Sequence, residues 1–139
     1  MLLRILRSRW TWRAALLAYA AAIFVVSGMQ MGEGPGLLPF PGGDKLLHAV
    51  EFAIFFLLAR MALGRSSWAF LLTALYAGSD ELHQAFVPTR DACFWDFVAD
   101  LAGAAFAALI VSAFTPRSLL RRMAGRILGT PVQNRERGG

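Results

Sequence analysis

The sequence contains only one cysteine, Cys93, so it cannot form an internal disulfide bond. It also lacks the CxxC pairs and Cys/His spacings that are typical of structural zinc sites. No P-loop, dinucleotide-binding glycine fingerprint, nucleophile elbow or HExxH helix is present, and no internal repeat is visible. No motif therefore points to a specific reaction.

Charged residues are also scarce: they make up 17% of the 139 residues, against 57% hydrophobic residues. Four apolar runs separated by short polar breaks predict a single all-α membrane domain, a four-helix bundle, rather than a very hydrophobic soluble bundle. The expected spans cover about residues 14–31, 45–63, 68–86 and 94–114. The domain prediction is a basic cytoplasmic arm (1–13), the membrane domain (14–116) and a basic cytoplasmic tail (117–139).

The net charge of +5 is distributed unevenly along the chain. If four helices alternate, twelve of the fourteen Lys and Arg residues fall on one side of the membrane. This positive-inside pattern predicts a multi-pass protein of the cytoplasmic membrane with both termini inside, and it indicates contact with lipids rather than nucleic acid. A basic start before an apolar run also fits a signal peptide, but the later spans favour a retained first helix.

Polar side chains are concentrated where a bilayer makes them costly. The densest stretch, residues 79–100, joins two apolar runs, and the start of the second span adds more. At helical spacing they form a stripe on each of three helices near the outer face, so we expect them to face the bundle interior. Seven acids stand here against two basic side chains. Either some carboxylates stay protonated, or a cation or polar ligand completes the site.

Eleven residues are therefore candidates for function. Those suited to acid/base chemistry are Asp44, His48, Asp80, Glu81 and Asp96, and those suited to ligand binding are Lys45, Glu51, His83, Gln84, Arg90 and Asp100. Lys45 and Arg90 suit a phosphate or carboxylate group. The two histidines and the acids also suit zinc or manganese, but the histidines lie on different predicted helices, so no metal ligand is assigned and no cofactor is identified. A third interpretation is a network that only ties the helices together.

Three segments resemble the signature motifs of VanZ-like membrane proteins: DKLLHAVEF (44–52), SDELHQAFVPTR (79–90) and WDFVADLAGA (95–104). In that family a D-K-x-x-H-x-x-x-[YF] segment precedes D-E-x-x-Q-x-x-[VI]-P-x-R and D-x-x-x-N-x-x-G segments. Asp100 is a departure, since it stands where many relatives have Asn. The resemblance covers roughly residues 40–110 and implies a small bacterial helical membrane bundle.

The resemblance also implies a link to resistance against the glycopeptide antibiotic teicoplanin. The leading hypothesis is a protein that binds or acts on a cell-envelope lipid, a peptidoglycan precursor or another anionic headgroup at the outer face. Two alternatives are a small membrane enzyme that uses the acid/histidine cluster and a proton- or cation-coupled transporter. The transporter is less favoured because the predicted polar residues lie near one face. The oligomeric state is not predicted.

Overall fold

In a computed structural model of the chain, residues 8–29, 38, 40–88, 90 and 93–114 are described. They form four helices: α1 (Arg9–Ser27), α2 (Gly43–Leu63), α3 (Ser66–Gln84) and α4 (Phe94–Phe114). The all-α prediction is confirmed for this part of the chain. By its internal contacts the chain divides into residues 1–109 and 110–139, and of the second unit only the end of α4 is described.

Two helix starts differ from the sequence expectation. Helix α1 begins at Arg9 rather than near residue 14, because Ser8 is its N-cap and accepts a hydrogen bond from the Trp10 amide at 3.3 Å. The preference of Asp for N-cap positions favours Asp44 as the cap of α2, but the N-cap is Gly42, with a φ of 82°. Asp44 instead lies in the first turn, where its negative charge favours the positive end of the helix dipole.

Three of the helices, α1, α2 and α4, are long and apolar enough to cross a membrane. Helix α3 has 19 residues, which is about 28 Å of helix. Its mean hydropathy is lower than that of the other three helices, because its C-terminal end carries polar residues such as Asp80 and Glu81. The chain is therefore a multi-pass membrane protein. Passage of α3 across the membrane remains a prediction.

Helix α2 packs against both α1 and α3. Its Phe52, Phe55 and Phe56 are fully buried or nearly so, and the ring of Phe55 stacks on Tyr76 of α3 with 4.7 Å between centroids. Helix α3 buries one residue in every three or four along a single stripe: Ala69, Thr73, Ala77, Asp80 and Gln84. The C-terminal end of this stripe, Asp80 and Gln84, is polar.

The small residues of α4 let it approach α2 closely. Gly103 is buried, and a Cβ atom placed on it would overlap the backbone carbonyl of Ala49. Ala104 and Ala107, further along the same helix, are also buried. This approach brings the backbones together one turn beyond Asp100, so it sets the separation of the polar residues that the two helices carry.

Candidate functional site

The acidic and histidine side chains of the described helices gather at one end of the bundle. They come from the N-terminal halves of α2 and α4 and the C-terminal end of α3: Asp44, His48, Glu51, Asp80, Glu81, His83, Asp96 and Asp100. At the opposite end, the Arg9 guanidinium lies beside Gly64. Within the described residues no acid or histidine continues toward that end, so no observation favours the transporter hypothesis.

The centre of the site is a cluster of three residues from three helices, His48, Glu81 and Asp100, which we call the trio. A nitrogen atom of His48 and one carboxylate oxygen of each acid all lie within 4.8 Å of one another. The His48 Nδ1 and Asp100 Oδ1 atoms share a hydrogen bond of 3.0 Å, and Asp100 is completely buried. Oε2 of Glu81 accepts a hydrogen bond from the amide of Cys93 at 3.1 Å, which ties α3 to the start of α4.

A second buried network connects α1 to α3. Oδ2 of Asp80 accepts hydrogen bonds from the Ser27 hydroxyl at 3.0 Å and from the Gln84 amide at 2.8 Å. All three residues are at most 5% exposed. Sequence reasoning missed Ser27, although its spacing of four from the buried Ile23 places both on the inward face of α1.

The two predicted anion-binding side chains are engaged within the protein. The Lys45 ammonium contacts Asp44 at 2.9 Å and Asp96 at 2.8 Å, a pairing of partly exposed groups that joins α2 to α4. The Arg90 guanidinium donates to the backbone carbonyls of Val26 (3.1 Å) and Met29 (3.5 Å). A cation at the C-terminal end of α1 is favoured by the helix dipole.

His83 and Glu51 lie outside the trio. The His83 ring stacks on Phe24 of α1 with 4.1 Å between centroids, beside Gly28. Glu51 is half-buried and interacts electrostatically with Asp80 and Asp100, while its backbone carbonyl accepts a 3.3 Å hydrogen bond from a tyrosine hydroxyl of α1. The structure therefore divides the predicted residues into a trio, an Asp80 network and a Lys45 ion pair rather than one continuous cluster.

Several buried polar atoms of these groups find no hydrogen-bond partner among the described residues. They are Oδ1 of Asp80, Oε1 of Glu81, Nδ1 of His83 and Oδ2 of Asp100. Buried polar atoms in folded proteins are almost always paired, with protein groups, water or an ion. Two of the four belong to the trio, whose histidine nitrogen and carboxylate oxygens are also the donors that could hold a metal ion.

An open groove of about 310 Å³ runs beside the trio. Its lining is mainly apolar and comprises Gly78, Glu81, Cys93, Phe94 and Phe97. Among the described residues of this lining Glu81 is the one that carries a charge, and it is also a member of the trio. The groove and the buried polar site are thus adjacent and share one carboxylate.

Membrane-spanning helices and a buried polar site at one end define a small, multi-pass, all-helical membrane protein. A family model described as VanZ/LLP1 matches residues 5–115, and the chain belongs to this family. The match confirms the resemblance seen in the three sequence motifs. No protein of curated function and no solved structure matches the chain.

Proposed function

We propose that the protein binds a cell-envelope amphiphile, a lipid or lipid-linked peptidoglycan precursor, at the outer face of the cytoplasmic membrane. The apolar chain of this ligand would lie in the groove beside Phe97, and its polar head would contact the trio through Glu81. The observation that carries the proposal is the position of Glu81, which belongs to the apolar groove and to the buried polar site at once. A molecule with an apolar chain and a polar head matches that combination.

The charge distribution supports this location. Twelve of the fourteen basic residues fall on one side if α3 also crosses the membrane, and the end of the bundle that carries the trio is then the outer one. The family's link to glycopeptide resistance fits the same face, since a protein that holds a cell-wall precursor there acts where such an antibiotic meets its target. Residues 115–139, which contain the expected basic tail, lie outside the described residues.

The groups at the groove favour a particular kind of headgroup. Lys45 forms ion pairs with two carboxylates, and Arg90 donates hydrogen bonds to two backbone carbonyls. Neither side chain is therefore well placed to bind a phosphate group. The groove itself offers carboxylate oxygen from Glu81, and carboxylates accept hydrogen bonds. Hydroxyl or ammonium groups of the headgroup are therefore the donors that this site would select.

Native mass spectrometry of the detergent-purified protein tests the proposal. We expect a co-purified lipid or prenyl-linked species on the unmodified protein, and its loss in Phe97→Ala and Glu81→Gln. Phe106→Ala is the matched control, because Phe106 is an exposed phenylalanine of the same helix outside the groove lining. The absence of any retained amphiphile, or equal retention by the Phe97 and Phe106 variants, would count against the proposal.

A second candidate function is acid/base catalysis on the headgroup. The 3.0 Å hydrogen bond between His48 Nδ1 and Asp100 orients the imidazole, which is how a carboxylate prepares a histidine to accept or donate a proton. If the protein turns over its ligand, His48→Gln should retain the bound species and lose its conversion, as followed by mass spectrometry of the extracted lipid. Conversion at the unmodified rate in this variant would exclude His48 as the acid/base group.

A further inference from the structure

We propose that His48, Glu81 and Asp100 bind one divalent transition-metal ion of the zinc or manganese class. Helices α2, α3 and α4 supply one ligand each, so the ion would link three separate parts of the chain. Imidazole nitrogen together with carboxylate oxygen is the donor set that such ions accept. The inference goes beyond the amphiphile site, because it concerns the binding of an ion in the absence of any lipid.

The spacing of the three side chains is compatible with a shared ion. Two donors that are each 2.0–2.2 Å from a tetrahedral zinc lie about 3.3–3.6 Å from one another. The 3.0 Å between His48 Nδ1 and Asp100 Oδ1 is slightly shorter than this, and the donor atoms of all three residues lie within 4.8 Å. Closing the group around an ion therefore takes movements of about 1 Å.

The unpartnered oxygens provide independent support. Asp100 is completely buried, yet its Oδ2 has no hydrogen-bond partner within the described residues. Oε1 of Glu81 is buried and unpartnered in the same way, although Oε2 of that carboxylate is satisfied by the Cys93 amide. One cation placed between the two carboxylates would satisfy both oxygens together.

The surrounding charges point in the same direction. Asp80 interacts electrostatically with Asp100, so three carboxylates, those of Asp80, Glu81 and Asp100, stand against the single positive charge that a protonated His48 could supply. Two cationic side chains described at this end of the bundle are already engaged: Lys45 by two carboxylates, and Arg90 by the carbonyls at the end of α1. A divalent ion would offset this excess of negative charge, which is costly away from water.

The experiment uses the full chain in detergent micelles, stripped with a chelator and titrated calorimetrically with zinc alone and then with manganese alone. We expect one ion per chain, with zinc bound at micromolar or tighter affinity. Glu81→Gln and Asp100→Asn should each weaken binding at least tenfold. His83→Gln is the matched control: it removes the only other imidazole of the sequence, whose ring stacks on Phe24, and it should leave the affinity unchanged.

Two results of these titrations would overturn the inference. One is the absence of saturable zinc or manganese binding up to millimolar ion. The other is a loss of affinity in His83→Gln equal to the loss in Glu81→Gln. Circular dichroism of each variant shows whether it keeps its helical content. A third readout needs no substitution: the thermal unfolding midpoint of the unmodified protein should rise with zinc and fall again with chelator, and an unchanged midpoint at saturating zinc would also refute the site.

Discussion

The close approach of α4 to α2 at Gly103 should make this position intolerant of even one methyl group. A Cβ atom there would overlap the backbone carbonyl of Ala49, and a backbone atom cannot rotate away as a side chain can. Gly103→Ala should therefore push the two helices apart. Because Asp100 lies one turn before Gly103 on the same face, the hydrogen bond between Asp100 and His48 should lengthen as well.

The size of the effect follows from two opposing contributions. Replacing glycine by alanine inside a helix contributes about 1 kcal/mol of stability. Overpacking costs about 1–3 kcal/mol, with the upper end expected where backbone opposes the new atom. Gly78→Ala is the matched control, since a Cβ atom there meets only a side-chain carbon of Phe97, at 3.8 Å. Because both variants gain the same helix propensity, the free energy of unfolding of Gly103→Ala should lie about 3 kcal/mol below that of Gly78→Ala, roughly a 150-fold difference in the unfolding equilibrium.

Denaturant titration of both variants in the same detergent, followed by circular dichroism, measures this difference. The variants share the same change in helix propensity, so the comparison isolates the contact between α2 and α4. If Gly103→Ala is as stable as Gly78→Ala, the close approach of the two helices is falsified.

Three further substitutions test the contacts around the site. Ser27→Ala removes a buried hydroxyl that donates to the Asp80 carboxylate at 3.0 Å, so the free energy of unfolding measured by denaturant titration should fall by about 1–3 kcal/mol. An unchanged free energy of unfolding would show that the Asp80 carboxylate does not depend on α1. Tyr76→Phe should reduce stability by about 1 kcal/mol, and by more than Tyr19→Phe does, because the hydroxyl of Tyr76 lies 2.6 Å from its backbone carbonyl acceptor and that of Tyr19 lies 3.3 Å from its own. A larger loss of thermal stability in Tyr19→Phe than in Tyr76→Phe would contradict these hydrogen bonds. Arg90→Gln should reduce stability by less than about 1 kcal/mol and should leave the retained amphiphile in native mass spectra unchanged. Loss of the amphiphile from this variant alone would instead show that Arg90 binds the headgroup.

The helical architecture was predictable from the sequence because apolar runs of span length leave few alternatives. The spans at 45–63 and 94–114 agree closely with α2 and α4. Helix starts were less accurate, since they depend on local capping: Ser8 extends α1 toward the N-terminus, and Gly42 rather than Asp44 precedes α2.

The grouping within the site was not predictable, although the polar stripes were visible. Asp80 and Glu81 are neighbours in the sequence, but consecutive helical residues point about 100° apart, so they contact different helices. Asp80 accepts from Ser27 of α1, while Glu81 contacts the amide of Cys93 next to α4. His83, three residues after Asp80 in α3, also contacts α1, through the stack of its ring on Phe24. Such choices depend on how neighbouring helices are rotated, which spacing along one helix does not specify.

The proposed ligand sites require that the charges of the trio serve a ligand rather than the fold. The most direct test is the free energy of unfolding of Glu81→Gln and the unmodified protein, measured in chelator and without added lipid. Glutamine keeps an oxygen that can accept from the Cys93 amide but removes a buried negative charge near Asp100. We expect this variant to be at least as stable as the unmodified protein. A loss of more than about 1 kcal/mol, the typical contribution of one hydrogen bond, would mean that the trio is a structural network instead.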